Sequence, residues 1–138
     1  MTAMAAMTKT TKGVDRLLAA IADGCGGAVR PLFRADAVLD VTIGGRRFHR
    51  IGSAPIAFQY RDWFRVPGRL EELDRRTTAE GEVVTFLLTW QVDGVPHGAH
   101  HCHVLTLDDD GRIAIDRYFC GGPWDAAELA AMQEADGD

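Results

Sequence analysis

The sequence predicts one α+β domain in which an antiparallel sheet is covered by a few helices. Helical periodicity is limited to short stretches, whereas most of the second half alternates apolar and polar residues as strands do. The chain has 138 residues, 46% of them hydrophobic and 25% charged, which suits a single globular domain. We expect residues 13–134 to form this domain and residues 1–12 to be a disordered tail. The strand-like segments in the second half are 70–78, 83–92, 98–107 and 112–120.

The first predicted helix covers residues 14–23. Leu17, Leu18 and Ile21 form one apolar stripe, and Gly24 follows where a left-handed C-terminal cap is favoured. One face of this helix should therefore pack against the rest of the domain.

A strand pair is predicted next, after a brief helical turn over 28–34. Apolar residues alternate over 37–43, and Gly44-Gly45 suits a tight turn into a second strand over 46–49. These segments should form a hairpin.

Two further helices are indicated by their N-terminal signals. Ser53 offers an N-cap hydroxyl and Pro55 suits a first turn, so a helix should run to about Phe64. Asp125 and Glu128 have the spacing of a capping box, which predicts a short C-terminal helix.

Charge and cysteine content exclude several classes of partner. The formal net charge of -5 gives no reason to expect binding to nucleic acid or to an anionic membrane. Three cysteines, Cys25, Cys102 and Cys120, have no metal-ligand spacing and favour free thiols in a cytoplasmic protein. No apolar run is long enough to span a bilayer, and no glycine-rich stretch has the context of a phosphate-binding loop, so we expect no cofactor.

Three local motifs resemble one known superfamily. Residues 32–41 (LFRADAVLDV) are similar to its approach to the first strand, residues 52–56 (GSAPI) to the start of its long helix, and residues 110–113 (DGRI) with Tyr118-Phe119 to its closing hairpin. The chain thus resembles the nuclear transport factor two-like superfamily, which includes SnoaL-like polyketide cyclases and ketosteroid isomerases. The resemblance spans nearly the whole chain from Val14 to Trp124.

The resemblance implies a cone-shaped fold, a curved antiparallel sheet wrapped around helices with an internal pocket. It also implies a hydrophobic small-molecule ligand and homodimerisation through the convex face of the sheet. Several enzymes of this group carry an acidic residue immediately before the Tyr-Phe pair. Here Arg117 holds that place and Asp116 lies one position earlier.

The histidines are the sharpest chemical signal. Four of them lie within residues 97–103, and imidazole exchanges protons near neutral pH. On an ideal strand His101 and His103 point toward the apolar interior, whereas His100 points away. Three interpretations stay open: catalysis or ligand contact, hydrogen-bonded core histidines, and a zinc site that would add His97. No recognised metal motif favours the last one, so no metal is expected.

If His103 is a general base, a carboxylate should orient it, and Asp116 and Asp40 are the candidates. A three-residue turn in the last hairpin would place Arg117 opposite His103. A two-residue turn or a bulge would instead place Asp116 there. Asp40 lies opposite the apolar face of its strand, so a solvated carboxylate fits it at least as well as a pocket acid.

Aromatic residues should line the pocket and give it flat apolar walls, with phenol hydroxyls able to donate to a ligand oxygen. The same periodicity also fits a plain hydrophobic core. The candidates are Tyr60, Trp63, Phe86, Trp90 and Tyr118.

Two functions follow from these observations. The first is a cofactor-free acid/base enzyme that isomerises, cyclises, dehydrates or opens the epoxide of a polyketide-, steroid- or terpenoid-like molecule. In this enzyme His103 is the general base and Asp116 orients the His103 ring. His101 and Tyr118 form hydrogen bonds to the substrate oxygen. The alternative is a non-catalytic ligand-binding or dimerisation module with the same fold.

Overall fold

The computed structural model describes residues 2–137, and side chains for residues 12–131 and 134. The sequence also marks Met132 as an apolar residue of the last helix, and its side chain lies outside the described ones. Helices and strands follow one another in the order α1 Thr2–Ala22, a 3₁₀ helix Gly26–Leu32, β1 Phe33–Ile43, β2 Arg46–Ile51, α2 Ser53–Trp63, β3 Arg69–Thr77, β4 Gly81–Val92, β5 Val95–Leu107, β6 Ile113–Cys120 and α3 Ala126–Gly137.

The strands form one curved six-stranded sheet in the order β2-β1-β6-β5-β4-β3. The α+β class predicted from the sequence is confirmed. The expectation of an antiparallel sheet is wrong at one place, because β1 and β6 pair in parallel. These two strands are joined by residues 44–112 rather than by a hairpin, so no short turn imposes antiparallel pairing on them.

The core lies between the concave face of the sheet and helices α1 and α2. Leu17 and Ile21 of α1 and Ile56 of α2 are buried against strand residues such as Leu39 and Phe86. Burying each such side chain contributes roughly 1.5–3 kcal/mol to folding. The helices are therefore held on the sheet by their apolar stripes, as the periodicity predicts.

Turn and cap chemistry agrees with the sequence at most boundaries. Gly44 and Gly45 both have positive φ, as a tight hairpin turn requires. The capping box is present, since the Glu128 amide donates to Asp125 Oδ1 at 2.8 Å and the Asp125 amide donates to Glu128 Oε1 at 3.2 Å. The predicted Ser53 cap is wrong: the helix is preceded by Gly52, and none of the described side chains caps it.

Helix α1 is longer than predicted and begins at Thr2 rather than at residue 14. It therefore runs through the segment for which a disordered tail was expected. The side chains of residues 2–11 are not described, so the tail and the boundaries of the domain stay predictions. Within residues 2–137, no helix is long and apolar enough to cross a membrane.

Candidate active site

The register of β5 and β6 decides which polar side chains face the core. The turn between the strands is closed by the Asp108 amide, which donates to the Arg112 carbonyl at 2.8 Å. Beyond the turn, the pairing of the two strands shifts by one residue at Ala114. As a result Tyr118 lies opposite His103 and Asp116 lies opposite Leu105. Neither Arg117 nor Asp116, the two residues predicted to lie directly opposite His103, holds that position.

A shift by one residue in either direction exchanges the two faces of a strand. The bulge therefore turns Asp116 inward and Arg117 into solvent, although the pairing differs from both predicted registers. Asp116 and His103 therefore face the same interior. They belong to adjacent cross-strand pairs on that face, so their side chains meet diagonally.

Asp116, His103 and Tyr60 form a buried hydrogen-bonded cluster. His103 Nδ1 lies 3.0 Å from Asp116 Oδ1, and the Tyr60 hydroxyl donates to Asp116 Oδ2. The Tyr60 oxygen also lies 3.5 Å from His103 Nδ1. His103 is 1% exposed and Asp116 0%, so both carboxylate oxygens are bonded inside the core. An ionised carboxylate only accepts hydrogen bonds, so the His103 tautomer that fits this contact carries its proton on Nδ1.

That arrangement leaves the other nitrogen of His103 open. Within the described residues, His103 Nε2 is buried and has no hydrogen-bond partner. With the proton on Nδ1, a neutral imidazole presents a lone pair at Nε2. A carboxylate that fixes the tautomer of a histidine in this way is the arrangement used by general bases.

His101 and Tyr118 form a second buried pair beside the first cluster. The Tyr118 hydroxyl lies 3.3 Å from His101 Nε2, and the ring of Tyr118 stacks on that of His103 at 4.5 Å. Burial, followed by the electrostatic effect of the neighbouring His103 and His100 rings, holds the pKa of His101 well below its usual value. His101 is therefore neutral at physiological pH.

Both tyrosines keep their protons. Burial raises the pKa of Tyr60 well above its usual value, with further contributions from the charge and hydrogen bond of Asp116. Burial also raises the pKa of Tyr118, followed by the charge and hydrogen bond of Cys120 and the charge of Asp116. Each hydroxyl is thus available as a donor rather than as a phenolate.

Contact between helix α2 and the 3₁₀ helix positions Tyr60 in the cluster. The Gly26 amide donates to the Phe64 carbonyl at 3.1 Å, and a Cβ on Gly26 would lie only 2.1 Å from the Tyr60 carbonyl oxygen. Only glycine permits this approach of the two backbones. The end of α2 that carries Tyr60 is therefore held directly against Gly26.

A cavity of about 380 Å³ opens beside the cluster. It lies within the size range of small-molecule sites, about 300–1,000 Å³, and its walls are mostly apolar. His101 and Tyr118 are part of the wall, whereas His103, Asp116 and Tyr60 lie one layer behind it. Its full lining is Ile43, Asp62, Trp63, Phe64, Arg65, Val66, Leu88, Trp90, Ala99, His101, Tyr118, Cys120 and Pro123.

The predicted site residues fall into three groups. Four line the cavity: Trp63, Trp90, His101 and Tyr118. Four lie behind its wall: Tyr60, His103 and Asp116, together with Phe86, whose ring stacks on His101 at 4.9 Å.

Asp40 is placed away from both groups. It accepts hydrogen bonds from Arg47 Nε at 3.0 Å and Nη2 at 2.8 Å, and it faces away from the core. The structure thus gives Asp40 an ion-paired position outside the cavity. The Arg47 guanidinium holds the pKa of Asp40 below its usual value.

Sequence reasoning missed several cavity residues. Cys120 shares a face with Tyr118 because the two are separated by two positions in β6, so strand alternation alone could have indicated it. Asp62 and Arg65 lie around the end of α2 and form an ion pair at 2.7 Å, and no sequence signal marked their place at the cavity.

Two alternative sites have less support. A groove of about 590 Å³ lies on the other side of Trp90, between α3 and the β3-β4 edge, but none of the buried histidines or tyrosines lines it. In the described part of the chain, no three histidine, cysteine, aspartate or glutamate side chains converge as metal ligands.

The comparisons with known proteins agree with the architecture. No family profile and no curated protein matches the sequence. Solved structures do match. A candidate isomerase from Bacillus subtilis superposes with a TM-score of 0.67 at 18% identity, over 83% of this chain and 87% of that one. A phenazine biosynthesis-related protein from Pseudomonas aeruginosa gives 0.64 at 16% identity, over 86% and 79%.

A steroid delta-isomerase from Pseudomonas aeruginosa gives a TM-score of 0.57 at 17% identity, over 94% of this chain and 89% of that one. At these identities the likeness shows the fold alone. The chain therefore shares the α+β architecture of isomerase-type structures, the nuclear transport factor two-like fold that its motifs predict.

Proposed function

We propose that this protein is a cofactor-free acid/base enzyme that moves a proton within a hydrophobic, carbonyl-bearing cyclic molecule. The observation that carries the proposal is the His103–Asp116–Tyr60 cluster, buried directly behind the wall of an apolar cavity. A buried imidazole with one oriented and one open nitrogen is suited to accepting and returning a proton near neutral pH.

Each group has a defined part in this reaction. The cavity wall formed by Trp63 and Trp90 holds the ring of the substrate, and His101 or Tyr118 donates to its carbonyl oxygen as negative charge develops there. His103 Nε2 takes the proton from the carbon next to the carbonyl, and Asp116 stabilises the imidazolium that forms. Tyr118 stacks over His103, so its ring must move aside when the substrate enters.

A second function is favoured by that same stacking. Because Tyr118 and His101 separate His103 from the cavity, the protein is a ligand-binding module if the Tyr118 ring does not move. The histidines would then serve only as core groups.

Deuterium exchange separates the two functions without knowledge of the natural substrate. Cyclic ketones are incubated with the protein in D₂O, and loss of the protons next to the carbonyl is followed by NMR. We expect the wild-type protein to accelerate exchange and Asp116→Asn to slow it by roughly 10²–10⁴-fold. Asp74→Asn, at an exposed carboxylate of β3, is the matched control and should keep the wild-type rate. Binding without accelerated exchange would reject the enzyme and leave the binding module.

A further inference from the structure

A thiol stands on the wall of the cavity, and the proposed proton transfer does not use it. Cys120 is half-buried and shares the inner face of β6 with Tyr118. His101 lies directly opposite Cys120 across β5 and β6, which brings their Cβ atoms to roughly 5 Å. A nucleophilic sulfur, an imidazole and a phenol hydroxyl thus meet at one wall.

The other two cysteines have different surroundings. Cys25 is exposed next to the 3₁₀ helix, with its thiol 3.6 Å from the Asp23 carbonyl oxygen. Cys102 alternates with His101 and His103 along β5, so it lies on the outer face of the sheet, and burial raises the pKa of its thiol. Cys120 differs from both in facing an apolar cavity.

His101 supplies an independent sign that this wall receives a polar ligand atom. It is 2% exposed, it lines the same cavity, and among the described residues its Nδ1 has no hydrogen-bond partner. Leaving a buried polar group without a partner costs about 1–3 kcal/mol. A ligand with a carbonyl oxygen or a transferable proton at this wall would recover that energy.

We propose that the cavity captures small cyclic α,β-unsaturated carbonyl compounds by reversible conjugate addition to Cys120. The ring of such a compound fits between the apolar walls, and its electrophilic carbon meets the only thiol that lines the cavity in the described part of the chain. The inference rests on the proposed function only in taking the cavity as the ligand site.

The addition balances without any other reactant. The Cys120 sulfur bonds to the β-carbon, the carbon–carbon π bond breaks, and its electron pair moves through the carbonyl to give an enolate. The thiol proton passes to the His101 imidazole and then to the α-carbon, which restores the carbonyl. The product is a saturated ketone joined to the protein by a thioether, and the reverse steps release the ligand. The Tyr118 hydroxyl is placed to donate to the enolate oxygen.

Labelling with cyclohexenone tests this inference, with intact-protein mass spectrometry to follow the adduct and peptide mapping to locate it. We expect Cys120 to react at least roughly tenfold faster than the exposed Cys25, because the cavity holds the ring next to the sulfur. Iodoacetate, a charged thiol reagent, should show the opposite preference. A variant with Cys25→Ser and Cys102→Ser should keep the fast adduct, and Cys120→Ser should lose it.

The inference is overturned if cyclohexenone modifies Cys25 first, or if Cys120→Ser keeps the fast adduct. Cyclohexanone, the saturated analogue, separates this failure from failure of the proposed function, because it can bind and exchange protons but cannot add a thiol. Exchange of cyclohexanone without labelling of Cys120 would reject the covalent step alone. Labelling of Cys120 without exchange would reject proton-transfer catalysis alone.

Discussion

Three side chains distant in the sequence supply the chemistry of the candidate site. The Tyr60 hydroxyl and His103 share the Asp116 carboxylate, although Tyr60 and Asp116 are 56 positions apart. Removing one donor leaves a buried carboxylate with a single partner, and that loss is costly because no water reaches the group. Loss of a hydrogen bond in this cluster should therefore lower the free energy of unfolding.

Tyr60→Phe removes only the hydroxyl that donates to Asp116. We expect the free energy of unfolding to fall by about 1–3 kcal/mol, measured by urea denaturation. Tyr118→Phe is the matched control, since its hydroxyl makes a longer contact, 3.3 Å to His101, at the cavity wall, and should cost less. Equal losses for the two variants would contradict the hydrogen bond from Tyr60 to Asp116.

Strand alternation predicts part of this cluster. It places His101 and His103 on the inner face of β5 because side chains alternate along a strand. It cannot predict that Tyr60 meets Asp116, since nothing local to either residue specifies how α2 lies over β6. For Asp40, alternation leaves both the pocket and the solvent open, and the structure pairs its carboxylate with Arg47 outside the cavity.

At the scale of elements, two backbone features position the site: the bulge at Ala114 and the contact of the 3₁₀ helix with α2. The first turns Asp116 inward, and the second holds the end of α2 against Gly26. Both features depart from regular backbone geometry, and together they determine that Tyr60 contacts Asp116.

Gly26→Ala would place a Cβ 2.1 Å from the Tyr60 carbonyl oxygen, so α2 or the 3₁₀ helix must shift. We expect a loss of at least about 1–3 kcal/mol in the free energy of unfolding, because overpacking against backbone is poorly relieved. Gly27→Ala is the control, since the three atoms nearest its Cβ belong to the Arg61 side chain, the first at 3.4 Å. A thermal-denaturation midpoint for Gly26→Ala equal to that of Gly27→Ala would show that the two backbones are not in close contact.

Most features defined by local chemistry could be predicted, with the Ser53 cap as an exception, whereas those defined by long-range pairing could not. The Gly44-Gly45 turn and the Asp125–Glu128 capping box follow from neighbouring residues, and both are observed. The bulge at Ala114 has no distinctive residue, because alanine is neutral at such a position. The parallel pairing of β1 with β6 depends on how the whole sheet closes.

At the scale of the whole molecule, the concave face of one curved sheet meets two helices, and the core is complete except at the cavity. Polar groups inside that core make the stability of the entire domain depend on pH. Homodimerisation and a cytoplasmic location stay predictions.

His101 gives the direction of that dependence. Its pKa is lower in the folded chain than the usual value of about 6.5 in the unfolded chain, so the unfolded chain binds more protons as pH falls. The stabilisation is complete above about pH 6.5 and is lost below it, by up to about 1.4 kcal/mol per pH unit. Urea denaturation at about pH 7.5 and about pH 5.5 measures the loss.

His101→Phe should reduce this loss, whereas His100→Gln, at an exposed position of the same strand, should keep it. An unchanged pH dependence in His101→Phe would contradict the assignment of His101 as a neutral, buried imidazole.

The cavity wall is most directly tested by NMR of the histidine ring nitrogens during titration with cyclohexanone. If the cavity is a ligand site walled by His101 and Tyr118, the His101 signals shift and saturate, those of His103 follow, and those of the exposed His49 stay unchanged. Unchanged His101 and His103 signals, or a shift of His49 equal to theirs, would contradict a ligand site at this cavity.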